Sequence, residues 1–154
     1  MAATYTYAAR YEAQARCSTP LRTGGSDGDT EQILRSWDGT ALLQGSSIAG
    51  ALREHLAALD PDMAEKLFGS QKQSGRLIVS DGVFDADAQC QTRSRLRIDR
   101  ATGTAAAGGK FDVAHLAADS RFSFTLTWLG LTRDEGELRA VEGLLAALHS
   151  GQIR

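Results

Sequence analysis

Four carboxylates gather between residues 27 and 38, at Asp27, Asp29, Glu31 and Asp38. Carboxylates can hold a divalent cation. Such an ion orients a phosphate and stabilises charge on the attacking and leaving oxygens, which is what metal-assisted RNA cleavage needs. An exposed acidic turn requires the same residue types. The run Asp27, Asp29, Glu31 also has the look of a calcium loop, but Gln32 stands where the required glycine should be and Asp38 where the bidentate glutamate should be, so that reading is set aside. Further on, Gly45, Ser46 and Ser47 precede a helical pattern. Unpaired N–H groups and the positive dipole end at a helix start favour a phosphate, and a small residue lets the backbone come close. A plain serine N-cap would use the same residues. Arg53, two turns along, either reaches that phosphate or is simply solvated. The third cluster is a stripe: Arg93, Arg95 and Arg97 alternate along a strand pattern, which sets them ~6.5–7 Å apart on one face, near phosphate spacing. A solvated strand face is the competing reading. With Arg100 and Lys110, the window 91–110 holds five basic residues against the single acid Asp99.

The remaining reactive residues exclude more than they suggest. His55 falls on the apolar face of a helix and reads as core, His149 sits at a helix C-terminus where a cation suits the dipole, and His115 has no evident partner. No Ser-His-Asp arrangement and no nucleotide-binding glycine motif is present, so triad-hydrolase and phosphate-loop chemistries are set aside. Cys17 and Cys90 have neither CxxC spacing nor a neighbouring histidine, which argues for reduced thiols rather than a disulfide framework or zinc site. The net charge of -2 argues against general attraction to nucleic acid, so any RNA site must be local.

The elements that must position these residues follow from periodicity. A chain of 154 residues, 42% of them hydrophobic, suffices for one domain spanning 1–154. It lacks a basic start followed by an apolar run and any stretch of ~18 apolar residues, so a soluble, cytoplasmic protein is expected. Residues 4–17 alternate, with Tyr5, Tyr7, Ala9, Tyr11, Ala13, Ala15 and Cys17 on one face, and predict a long half-buried strand. The glycine-rich stretch 23–30 predicts a loop running toward Trp37. Ile48, Ala51, Leu52, His55, Leu56 and Leu59 predict a helix capped by Ser46 or Ser47 and ending at Asp60-Pro61, followed by one short helical turn up to Gly69. Residues 76–80 predict a strand buried on both faces, 92–99 the arginine strand, and 103–109 a flexible joint. Phe122, Phe124, Leu126 and Trp128 predict another strand. Thr132 and Glu135 match a capping box for a helix with Leu138, Val141, Leu145 and Leu148 as its apolar stripe. The fold class expected is α+β, ferredoxin-like (RRM-like), with an antiparallel sheet, two main helices and an inserted hairpin. A closing strand after the second helix is not in the sequence, so a truncated chain is expected.

The segment Leu42-Leu-Gln-Gly-Ser-Ser-Ile-Ala-Gly-Ala-Leu-Arg53 resembles the hallmark of the RAMP superfamily of CRISPR-associated proteins, with Gln44 in the place of the usual proline and Ala49 in the place of a common lysine. Leu21-Arg-Thr-Gly-Gly25 resembles the family's glycine turn after its first strand. Leu67-Phe-Gly69 with Gly75-Arg-Leu-Ile-Val-Ser-Asp81 resembles its next landmark, and Ile98-Asp-Arg-Ala-Thr-Gly103 with Phe111 the stretch that becomes the thumb hairpin in backbone subunits of type III effector complexes. These landmarks, in order, cover nearly the whole chain; the family's glycine-rich loop would fall beyond Arg154. The resemblance implies a subunit in antiviral defence that binds guide (CRISPR) RNA and paired target RNA and stacks head-to-tail with other RAMP subunits. It places RNA contacts on Gly45, Ser46, Ser47, Arg53, Arg93, Arg95, Arg97, Arg100 and Lys110. It further implies metal-dependent endoribonuclease activity from an aspartate in the loop before the first helix, Asp29 first and Asp27 second, holding Mg2+; Thr30 in that column would instead make an inactive paralogue. The alternatives are a stand-alone RAMP endoribonuclease that trims precursor guide RNA, which would need a general base, and a non-catalytic structural subunit.

Overall fold

The computed structural model describes residues 5–27 and 30–153, with the backbone alone at 26, 27, 30 and 31. In chain order the elements are β1 (Tyr7–Arg16), β2 (Gly25–Asp27), β3 (Thr30–Gln32), β4 (Leu42–Leu43), α1 (Gly45–Leu59), α2 (Pro61–Phe68), β5 (Leu77–Val79), β6 (Gly82–Phe84), β7 (Cys90–Ile98), β8 (Ala105–Leu116), β9 (Arg121–Gly130) and α3 (Glu135–His149). The class is α+β, as the periodicity predicts. One sheet has the order β1-β9-β6-β4, with β5 also on β9; the other has the order β2-β3-β8-β7. Having β1 beside β9, and β9 beside both β5 and β6, is consistent with a ferredoxin-like order in which β5 and β6 are one strand interrupted at Ser80-Asp81. The chain divides into two compact units, 1–15 with 44–82 and 123–154, and 16–43 with 83–122.

In the first unit, the predicted alternation holds over part of β1: Ala9, Tyr11, Ala13 and Ala15 are partly buried between exposed neighbours, whereas Tyr5 and Tyr7 of the same predicted face are exposed. Phe124, Leu126 and Trp128 bury one face of β9, and Leu52, Leu67, Val141 and Leu144 bring the helices into the same core. Strand β5 runs antiparallel to β9, pairing Leu77 with Trp128 and Val79 with Leu126. The sequence pattern expects β5 to be buried on both faces, but Ile78 is exposed, because it points away from that core. The expected short turn before Gly69 is a full helix, α2. Asp60 caps it by accepting the Met63 N–H at 3.0 Å, and Pro61 occupies the first turn, where its missing N–H costs nothing. The cap of α3 is Asp134, which accepts from the Glu137 N–H at 3.0 Å, rather than Thr132. The helix turns Glu137, Val141, Leu144 and Ala147 inward, and the predicted Leu138 and Leu145 are half-buried.

A core of Cys17, Ile33, Ala41, Phe84, Ala114 and Leu116 holds the second unit together, with the rings of Phe84 and Phe122 5.1 Å apart. Both cysteines are free thiols, Cys17 buried and Cys90 exposed. Part of the predicted loop is a small antiparallel hairpin, β2 with β3, pairing Asp27 with Thr30. The predicted joint 103–109 is largely strand: β8 begins at Ala105 and pairs with Ile98 of β7. Glycine there supplies positive φ at two points, Gly103 at φ +68 and Gly108 at φ +67, while the small alanines accept extended backbone.

Candidate functional site

The first candidate group lies in the first unit, at the start of α1. Neither serine caps the helix. Gln44 is the N-cap residue, without a side-chain bond, and its carbonyl accepts from the Ser47 N–H at 3.0 Å. The Gly45 N–H, the amide that a phosphate would be expected to meet, donates to Asp81 Oδ1 at 2.7 Å. Gly45 is a glycine for packing reasons, since a Cβ would stand 2.6 Å from the Val79 carbonyl. What α1 does offer to solvent is a stripe. Ser46, Gly50 and Arg53 are all exposed, and their spacing of four and three residues puts them on one helix face. The Ser46 and Ser47 hydroxyls and the Arg53 guanidinium have no partner among the described residues.

The second group lies in the second unit, on the β7–β8 ribbon, where every residue of β7 is exposed. Cross-strand pairs share a face, so the register sorts the cations. Arg93 pairs with Val113 and Arg95 with Phe111, whereas Leu96 pairs with Lys110 and Ser94 with Asp112. Arg93 and Arg95 therefore stand on the Phe111 face. Lys110 lies on the opposite face with the exposed Leu96, and beside it the Ser94 hydroxyl donates to Asp112 at 2.6 Å. The pairing slips between Leu96 and Ile98, a bulge that re-aims the strand at Arg97. Arg100 sits in the tip, where Asp99 closes the turn by accepting the Ala101 N–H at 2.8 Å. None of these five basic residues forms an ion pair among the described residues. The arrangement is thus a projecting ribbon with cations on both faces, the densest on the aromatic one.

Of the acidic group, Asp27 ends β2, while Asp29 and the Asp27 side chain lie outside the described residues. Among the described residues no three His, Cys, Asp or Glu side chains converge on one point. Asp38 is committed to its own turn: it accepts the Thr40 N–H at 3.0 Å and the Ser36 hydroxyl, and these bonds hold its carboxyl down at about 2. Of the histidines, His55 is half-buried and His149 exposed. His115 is 5% exposed, with Nε2 lacking a hydrogen-bond partner among the described residues.

The sequence profile of the RAMP superfamily matches residues 14–153. The chain belongs to the RAMP superfamily. No curated protein matches it. Among solved structures, a chain of "Cryo-EM structure of the Type III-B Cmr-beta bound to cognate target RNA" is similar with a TM-score of 0.68 at 15% identity, covering 88% of this chain and 50% of that one. This RAMP chain therefore spans half the length of that neighbour, and at such identity the likeness establishes the fold. Among the described residues no helix is long and apolar enough to cross a membrane.

Three features of this RAMP chain escape sequence reasoning. Asp81 reaches the Gly45 amide across 36 positions, and no local pattern announces it. Phe111 joins the arginine face only through a register that runs past a run of alanine and glycine. Trp37 is 99% exposed; its one trace in the sequence is a tryptophan stranded among turn formers.

Proposed function

We propose that this RAMP chain is a guide-RNA-binding backbone subunit of a type III CRISPR effector complex, acting in the cytoplasm in antiviral defence. It would also contact target RNA paired to the guide and stack head-to-tail with other RAMP subunits. The observation that carries this reading is the β7–β8 ribbon, exposed along all of β7 with Arg93 and Arg95 beside Phe111 on one face. A guanidinium fork matches two phosphate oxygens at once, and successive arginines on the strand follow a backbone without reading its sequence. Phe111 adds an apolar ring against which a base can stack. At α1, Ser46, Ser47 and Arg53 form a second grip, through hydroxyls and one cation rather than through the Gly45 amide. For catalysis, Asp29 and, second, Asp27 would hold Mg2+, whose bound charge stabilises the scissile phosphate; oxygen donors of this kind fit that hard cation. The carboxylates then orient the phosphate, and the ribbon holds the strand in register.

The test is the salt dependence of RNA binding. Replacing Arg93, Arg95 and Arg97 with alanine should weaken binding on every sequence and flatten the slope of log K against log salt by up to ~0.7 per lost contact on single strands. Lys110→Ala, on the opposite face, should move the slope by no more than one such contact. A triple variant with the wild-type slope overturns the reading.

A further inference from the structure

Trp37 stands 99% exposed, so both faces of its indole are open, on a turn that is anything but loose. The Ser36 N–H donates to the Thr40 carbonyl at 2.9 Å and the Gly39 N–H to the Ser36 carbonyl at 3.0 Å. The Arg35 guanidinium donates to the Gly39 carbonyl at 2.8 Å. Gly39, at φ +87, lets the chain reverse, and Asp38 locks the turn by accepting the Thr40 N–H. A tryptophan has ~150–250 Å² to bury, and here almost none of it is used within the chain. Because the mount is already ordered, little freedom is lost when a ligand meets the ring.

The turn is fastened to the strand that builds the ribbon. Arg35 bridges to Ala41 and the Leu42 N–H donates to the Leu34 carbonyl at 2.9 Å, so Trp37 sits at the tip of a narrow hairpin. Both legs are pinned in the core of the second unit, where Ile33 and Ala41 share a cluster with Ala114 and Leu116 of β8. Just before Ile33, Glu31 of β3 pairs with Val113 of the same strand. That strand also carries Phe111, the cross-strand partner of Arg95. Ring and arginine ribbon therefore belong to one compact unit. Leu116 lies ~17 Å along β8 from Phe111, a span that a few nucleotides cover.

The surroundings of the ring choose between ligands. A protein contact centred on a tryptophan encircles it with further contacts that shut out water, whereas the residues around Trp37 are Arg35, Ser36, Asp38, Gly39 and Thr40, which offer no apolar rim. A nucleobase needs only a flat, accessible ring to stack on. A phosphate finds little here, because Asp38 is exposed, ionised and next in sequence while the Arg35 guanidinium is engaged by Gly39. We propose that Trp37 stacks on a base of single-stranded RNA held by the β7–β8 ribbon, adding a base contact to the phosphate grip. The inference rests on the reading of the chain as an RNA-binding subunit and names a further contact residue for it. Every base has a π-face, so the contact does not read sequence; it touches no phosphate, so it releases no counterion.

The test is binding of an unstructured single-stranded RNA of mixed sequence to the intact protein, over a range of salt, for the wild type, Trp37→Ala, Trp37→Leu and Trp37→Phe. The side chain touches almost nothing in the fold, so all four should unfold alike in urea. Trp37→Ala should bind ~5- to 150-fold more weakly, the worth of one stacked base. That factor should be the same at every salt concentration, leaving the slope of log K against log salt unchanged. Trp37→Phe should recover most of the loss, and Trp37→Leu, apolar but without a ring, should recover none. Trp37 and the buried Trp128 are the two tryptophans of the chain, so RNA should quench the emission of the wild type and leave that of Trp37→Ala unchanged. Trp37→Ala within about twofold of the wild type, full recovery in Trp37→Leu, or a slope flattened by the ~0.7 of a lost phosphate contact overturns the proposal. So does shielding of Trp37 from acrylamide as the protein is concentrated without RNA, which would make it a protein contact. A wild type that binds no RNA refutes both readings. A slope that depends on Arg93, Arg95 and Arg97 together with a silent Trp37→Ala removes the stacking contact and leaves the RNA reading standing.

Discussion

Replacing Arg76 with methionine should unsettle the first unit more than any surface change, because it strands a charge. The Glu137 carboxylate is 2% exposed and receives Arg76 Nη1 at 3.0 and 3.2 Å and the Trp128 indole N–H at 2.8 Å. Breaking one side of a buried ion pair costs ~3–5 kcal/mol. The Arg76 side chain is 33% exposed, so water already screens part of the attraction and the expected loss is about 2–3 kcal/mol. For a chain of this length that lowers the unfolding midpoint by about 4–12 °C. Glu137→Gln keeps an acceptor for the indole and should cost about 2 kcal/mol, the worth of a hydrogen bond to a charged group. The double variant, with neither charge buried, should cost at least ~1 kcal/mol less than the sum of the two. Urea unfolding followed by far-ultraviolet circular dichroism gives all three numbers. An Arg76→Met protein within ~0.5 kcal/mol of wild type, or strict additivity in the double variant, would refute the reasoning that the pair is a desolvated unit.

Gly45→Ala places a methyl group 2.6 Å from the Val79 carbonyl and should destabilise by ~1–3 kcal/mol, whereas Ser46→Ala, at a residue that caps nothing, should stay within ~0.5 kcal/mol; equal effects in urea unfolding would restore the serine-cap reading. The carboxyl of Asp38 is lowered from 3.8 to about 2, so its hold on the turn is complete above pH ~4 and is lost as pH falls through about 2. Carboxyl chemical shifts should titrate with that low midpoint, and an ordinary midpoint would mean that the Thr40 and Ser36 bonds do not persist in solution. In an assembled complex, Asp29→Ala should abolish cleavage of target RNA and leave guide binding intact, as chelation should; cleavage at the wild-type rate moves the role to Asp27 or makes the subunit non-catalytic.

Periodicity read the long elements well because their patterns are set by one face of burial. Strand β1 alternates from Ala8 to Arg16, and α1 repeats Ile48, Leu52 and Leu56 inward. Local chemistry misled where a competing residue did the same work better. Asp134 outcompetes Thr132 as a cap, and Gln44 begins α1 without any side-chain cap while Asp81 arrives from far along the chain to take the Gly45 amide. Residues 105–109 read as a joint because alanine and glycine carry no pattern at all; only pairing with β7 makes them strand. The arginine spacing was visible as a stripe, but a single strand does not say what lies across from it, so the separation of Lys110 from Arg95 required the register.

A net charge of -2 looks unfavourable for the proposed grip on a polyanion, and the distribution of charge along the chain bears on the conflict. Several acids keep their charge but are fixed at points of local structure: Asp60 and Asp134 cap helices, Asp81 holds the Gly45 amide, Asp38 and Asp99 close turns, and Asp112 takes the Ser94 hydroxyl. Among the described residues, Arg10 pairs with Glu12, Arg16 with Asp119, Arg76 with Glu137 and Arg133 with Glu135. The β7–β8 ribbon is different, since Arg93, Arg95 and Arg97 project from it without an ion pair among the described residues. Fields that govern approach of a phosphate act within about a Debye length, ~8 Å at physiological salt. At that range the ribbon presents its own charge and the chain's total counts for little.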